Sequence, residues 1–329
     1  MAAIAVAILG FVALTPAWTQ VATVDHEGAV WIGAQMTWDA TDGADLATLI
    51  NRVKTLGPGR VYAGSSSNWG GQYRIGSVPV YAELQNYGVD TIGFWLRTES
   101  LSTDVEVLFD DSNPAQYDLF NVKYVILPND RPSPVKATLI ARQGRHTLWQ
   151  VDTSGYFEVV DSIGPPIVAD RKDIGAMTAG FDQSQQLALH QHPMVAFDGG
   201  KAAAPTVRPG EAVTGPAGTV ELESSHPDQG TYSGEIVANR TAVVMLKTTF
   251  DPRWQVTLDG EDVAPQMIAP DFVGRTVAPG RHTISFRYVP FPDYPLLLSL
   301  GVLALVVLQF APAAAEPARR WFRQVLKVG

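Results

Sequence analysis

The residues whose types and spacing best suit ligand recognition are Asn68, Trp69 and Tyr73, in and just after the run Gly64-Ser65-Ser66-Ser67-Asn68-Trp69-Gly70-Gly71. The run follows a predicted strand, as a phosphate cradle does. It lacks the spaced glycines and the Lys-Ser/Thr pair of a P-loop. Two aromatic rings beside a carboxamide instead make an aromatic platform with polar edges, the composition of a specific sugar site. The alternative is a surface loop whose Trp packs onto the domain. Trp95 ends a further predicted strand and Arg97 lies just beyond it, where α/β sheets place ligand contacts; Arg97 is a candidate for holding an anionic or sugar-phosphate group.

Other constellations carry less. His190-Gln191-His192 sets two imidazoles on one face if the segment is a strand. A metal would need a third ligand such as Asp182 or Asp198. Pro193 follows directly, so a solvated pair is expected and no metal site is assigned. Asp110-Asp111 invites an acid/base reading, but Ser112-Asn113-Pro114 after it points to a turn and a helix cap. Asn239-Arg240-Thr241 matches a glycosylation acceptor, but Asn-Arg between two strands is an ordinary turn. No nucleophile-elbow serine and no cysteine is present, so no nucleophilic triad, thiolate metal site or disulfide is available, and no motif implies a cofactor.

The elements that must position these residues fall into two halves. Leu46, Leu49, Ile50, Val53 and Leu56 form an i, i+3, i+4, i+7 stripe, predicting a helix capped by Asp42 or Asp45 and stopped by Gly57-Pro58-Gly59. A strand over 60–63, a helix over 79–87, a strand over 91–95, a helical turn over 114–120 and a strand over 123–127 follow, with strands over 135–142, 146–151 and 156–162 completing the sheet. Such units predict a small α/β layer over 20–164. From 165 to 292 short alternating strands dominate (219–223, 232–238, 242–248, 253–258, 282–288), with Asp259-Gly260 as a hairpin turn and at most a helical turn over 184–190. They predict an antiparallel β-sandwich.

Both ends are apolar. Residues 1–19 carry no charge and predict a transmembrane helix or signal anchor. Residues 293–314 contain one charge, Asp293, at their start and predict a second transmembrane helix; 315–329 form a basic tail with Arg319, Arg320, Arg323 and Lys327. The expected fold class is therefore α+β: a small α/β layer domain, then an antiparallel β-sandwich, flanked by one transmembrane helix at each end. The chain is expected at the cell membrane with its main domains outside the cytoplasm and its C-terminus cytoplasmic. The lipid bilayer is then one partner. A net charge of −9 argues against nucleic acid.

Three stretches together resemble the C-terminal exterior region of bacterial YfhO-type membrane proteins, relatives of the polyprenyl-phosphate-sugar-dependent glycosyltransferases of the GT-C fold. They are Gly59 to Gly64 with Trp69-Gly70, Tyr117 to Ile126, and Phe250 to Gly260 followed by Val277 to Ile284 and Tyr288-Val289-Pro290. The resemblance implies an accessory or substrate-positioning exterior region in cell-surface glycan assembly, with a glycan or lipid-linked sugar as partner. It also implies many membrane helices before the exterior region and a catalytic carboxylate in an early exterior loop, whereas here one apolar helix precedes the domain. A membrane-anchored glycan-binding or scaffold protein without catalysis is the alternative.

Overall fold

The computed structural model describes residues 2–92, 100–307 and 309, with side chains from Leu14 onward. Residues Met1–Arg287 form one compact unit and Tyr288–Gly329 a second.

The predicted stripe folds as the helix Ala44–Leu56, burying Leu46, Leu49, Ile50 and Val53. Full burial of such side chains stabilises by about 1.5–3 kcal/mol each. Gly57 ends the helix at φ 101°, a region L side chains avoid. Neither Asp42 nor Asp45 caps it: the chain enters through the π-helical turn Asp39–Gly43, which continues the helix Ala2–Trp38. Helix Ala44–Leu56 and helix Val80–Asn86 cover one face of a four-stranded sheet through Val61, Ala63, Tyr124, Ile126 and Leu148. The sheet runs Arg60–Tyr62, Val122–Pro128, His146–Gln150, Thr138–Gln143; its first pair is parallel and the others antiparallel.

The other face packs on the short helices Leu101–Glu106, Pro114–Leu119, Ile174–Asp182 and Gln185–Ala188, and through them on a second sheet. That sheet has the order Gln266–Ile268, Phe272–Val277, Ala242–Thr249, Phe157–Ser162, Gln191–His192. A third sheet, ordered Gly218–His226, Thr231–Ala238, Gly280–Tyr288, Trp254–Leu258, Glu261–Val263, completes a β-sandwich-like pair. Phe157 meets Phe286 at 5.8 Å between ring centroids and Tyr156 meets Tyr232 at 5.5 Å across it. Buried Arg60 ties the layers, donating to the carbonyls of Phe120 (2.7 Å) and Lys247 (3.0 Å) and pairing with Asp90 (3.3 Å).

Three expectations are corrected. Among the described residues no helix is long and apolar enough to cross a membrane, so the flanking transmembrane helices are not part of this fold. The N-terminal helix does not stop at residue 19 but runs to Trp38 through Asp25, His26 and Glu27. The C-terminal helix is described over 294–307 and at 309; 308, 310–314 and the basic tail over 315–329 lie outside the described residues. Second, the strand Phe157–Ser162 does not complete the first sheet but pairs with Ala242–Thr249 in the sandwich. All six of its residues are buried, so no alternation marks which sheet it joins. Third, the later half does contain a helix, Ile174–Asp182, closed against Asp104: the Gly175 N–H donates to Asp104 Oδ2 at 2.8 Å.

Candidate functional site

The parallel strands Arg60–Tyr62 and Val122–Pro128 point their carboxyl ends the same way, the side on which ligand crevices of α/β sheets lie. The loop leaving Tyr62 is drawn tight by a close approach of two glycines. A Cβ on Gly70 would lie 2.4 Å from the Ser65 nitrogen and 2.6 Å from the Gly64 carbonyl carbon, closer than any side chain permits. Asn68 holds the loop from within: its Oδ1 accepts from the N–H of Ser65 (2.8 Å) and Gly70 (3.0 Å), and its Nδ2 donates to Tyr62 OH (2.7 Å). The Ser65 and Gly70 amides, which a phosphate cradle would present, are therefore already taken. Asn68 orders the loop and does not line the cleft beside it.

Trp69 is anchored by its indole N–H, which donates to Asp111 Oδ2 at 2.7 Å. Asp111 also accepts from Tyr62 OH (3.3 Å), while its neighbour Asp110 accepts from the Ser112 N–H and hydroxyl, a turn and not a catalytic pair. Trp69 and Tyr73, 6.1 Å apart at their centroids, line an open cleft of about 490 Å³ with Gln72, Asn129, Asp130, Arg131 and Arg145. Arg131 lies over the Trp69 ring (4.8 Å) and Arg145 over Tyr73 (5.4 Å), each a cation–π contact. The Arg131 Nε has no hydrogen-bond partner.

Beneath the cleft runs a chain of buried polar groups. Tyr73 OH bonds His146 Nδ1, and His146 Nε2 lies 2.8 Å from Asp42 Oδ1. Arg145 grips the same carboxylate through Nε (2.8 Å) and Nη2 (2.6 Å) to Oδ2. Burial works to raise the Asp42 carboxyl, but the hydrogen bonds from Arg145 and His146 and the Arg145 charge outweigh it and hold it low. Burial pushes the His146 imidazole down and the Tyr73 phenol up, so neutral rings are favoured. With the His146 side chain fully buried, this chain fixes the Tyr73 ring and presents no proton-transfer group to the cleft. The π-helical turn that replaces the predicted cap is what brings Asp42 here.

Sequence reasoning thus brought Trp69 and Tyr73 to one site and missed Arg131, Arg145 and His146, which the pairing of Val122–Pro128 with His146–Gln150 assembles, and Asp42, which the π-helical turn supplies. Trp95 and Arg97 lie outside the described residues. The two histidines are not a solvated pair. His192 is buried, its Nδ1 2.8 Å from the Ala269 carbonyl, and burial lowers it to about 4. His190, raised chiefly by its hydrogen bond to Glu158, forms with Glu158 and Asp118 a group whose ligand atoms lie within 4.8 Å of one another. These residues do not suit a metal ion, because the Lys247 ammonium already sits among them, 2.9 Å from Glu158 and 3.4 Å from Asp118.

No family model, no curated protein and no solved structure matches this chain. Nothing in those comparisons identifies the glycosyltransferase-like family.

Proposed function

We propose that this chain is a saccharide-binding module, without transfer chemistry in the described residues, that positions a glycan for an enzyme of cell-surface glycan assembly. The observation that supports it is the open cleft in which Trp69 and Tyr73 stand beside Asn129, Asp130, Arg131 and Arg145. The part-buried Trp69 indole offers apolar surface to a sugar ring while the polar side chains reach its hydroxyls, and the buried Tyr73, held by His146 and Asp42, backs the platform before a ligand arrives.

A membrane surface is the second partner in this reading. Trp18, Trp31, Ile32 and Met36 stand exposed on the N-terminal helix, and Leu296, Leu298 and Leu305 on the helix over 294–307. Apolar exposure on this scale marks an interaction surface. The proposed place is the outer side of the cell membrane.

A glycan panel probed with the full chain, followed by titration of hits against Trp69→Ala, tests the binding. Saccharide binding lost in Trp69→Ala, with unfolding temperature near that of the parent, is the expected outcome. Absence of binding to any saccharide would refute the reading.

A further inference from the structure

We infer that the ligand is an extended acidic glycan that crosses two adjoining clefts meeting at Arg145. The inference rests on the saccharide-binding reading and deepens it. Arg145 lines the cleft of Trp69 and Tyr73 and equally lines a second one, of about 520 Å³, with Trp31, Gln35, Trp38, Arg74 and Ser77. The second cleft exists because the N-terminal helix docks on the turn at Gly76: Gln35 Nε2 donates to the Ile75 carbonyl (3.0 Å) and its Oε1 accepts from the Ser77 N–H (3.0 Å). A Cβ on Gly76 would lie 2.7 Å from the Trp38 ring, so glycine is what lets Trp38 close the floor. Each cleft therefore repeats one composition, indole beside guanidinium, and the shared Arg145 makes them continuous. A single sugar ring fills one of them; only a chain of rings uses both.

The charge of that chain follows from how the three arginines are partnered. Arg145 is neutralised by Asp42 at 2.6 Å. Arg74 spends its guanidinium on the carbonyls of Gly71 (2.8 Å) and Ser77 (3.0 Å), which leave its charge uncompensated. Arg131 lies over the Trp69 ring, and its Nε has no hydrogen-bond partner. Neither Arg74 nor Arg131 forms an ion pair among the described residues. The acidic neighbours are Asp130 in the wall of the first cleft, Asp111, which is occupied by the Trp69 indole at 2.7 Å, and Asp39, which is occupied by the Gln35 amide at 2.7 Å. In a chain of net charge −9, two uncompensated arginines, one in each cleft, fit sugar carboxylates, whose planar geometry matches the guanidinium fork.

The test uses carboxylated and neutral oligosaccharides of matched short and long length, titrated into the full chain. The long acidic glycans should bind about tenfold tighter than the short ones, and Trp31→Ala should remove that advantage without weakening the short ones. Trp31 is 70% exposed, so this change leaves the fold intact. Arg131→Gln should weaken acidic chains more than neutral ones, and added salt should narrow the same difference. Equal binding of long and short chains, or of acidic and neutral ones, overturns the inference while Trp69-dependent binding keeps the broader reading. Loss of all saccharide binding overturns both.

Discussion

Replacing Lys247 by Met tests how the sandwich is joined to the helix layer. The Lys247 side chain is 0% exposed, yet its ammonium touches Glu158 (2.9 Å), Asp118 (3.4 Å), the Asp118 carbonyl (2.7 Å) and Ser154 Oγ (2.6 Å). Methionine keeps the apolar stem and removes only the charge and its donors. Glu158, itself buried, then keeps His190 as its one remaining cationic partner. An unpaired buried charge costs about 3–5 kcal/mol, and His190 should place the loss near the lower figure. Urea unfolding followed by circular dichroism measures it. The pH dependence supplies a second reading. Burial would raise Glu158, but Lys247 and the His190 hydrogen bond hold it far below its usual 4.5. A depressed carboxylate contributes stability above the unfolded value that is lost as pH falls toward the folded one. The deficit of Lys247→Met should therefore shrink below about pH 4. Adding Glu158→Gln should recover part of the loss, because the stranded charge goes. A single-variant loss under about 1 kcal/mol, or a double variant less stable than Lys247→Met, would show that the ammonium is not compensating Glu158.

Two further outcomes follow from buried groups elsewhere. Burial, reinforced by the Asp271 charge, raises Asp182 to about 8, and burial raises Asp271 to about 6. The native state then holds protons the unfolded chain has released, so stability should fall by about 1 kcal/mol per pH unit between pH 6.5 and 7.5. The window lies above the titration of buried His192, whose folded value near 4 adds stability only as pH rises toward 6.5. Asp182→Asn should flatten the slope, and an unchanged slope in thermal melts would assign it elsewhere. Gly70→Ala should cost about 1–3 kcal/mol, since its Cβ would meet backbone on both Ser65 and Gly64, whereas Gly180→Ala, with nothing within 4 Å, should stabilise slightly. Melting temperatures of the pair decide this, and equal effects would mean the loop is slack.

Where the sequence was readable, one period or one turn residue carried the information locally. The Leu46-to-Val53 stripe and its stop at Gly57 are of this kind, as is the alternation in Gly280–Tyr288, where Ile284 and Phe286 are buried. Trp69 and Tyr73 were readable as a pair because they follow a strand end by a few residues. Arg131 and Arg145 were not, because they reach the cleft through the antiparallel pairing of Val122–Pro128 with His146–Gln150, which no local pattern encodes. Polar residues hid buried elements in the same way. Glu158 and Asp161 sit in a wholly buried strand because Lys247 and Arg240 meet them from distant segments.

The apolar ends show the same limit from the opposite side. Hydropathy reads a stretch of chain without knowing where its helix stops. The uncharged opening residues belong to a helix that continues through Asp25, His26 and Glu27 and then, by way of a π-helical turn, delivers Asp42 to Arg145 and His146. That helix is a positioning element for the candidate site as well as an apolar surface. Its Gln35 binds the Ile75–Ser77 turn, its Trp31 and Trp38 wall the second cleft, and the turn after it anchors the Tyr73 platform. Under the proposed function, a lipid surface covering its exposed apolar side chains would lie next to the clefts, and one element would couple membrane association to glycan recognition. Disrupting the helix at Gln35 should loosen both together, which independent sites would not do.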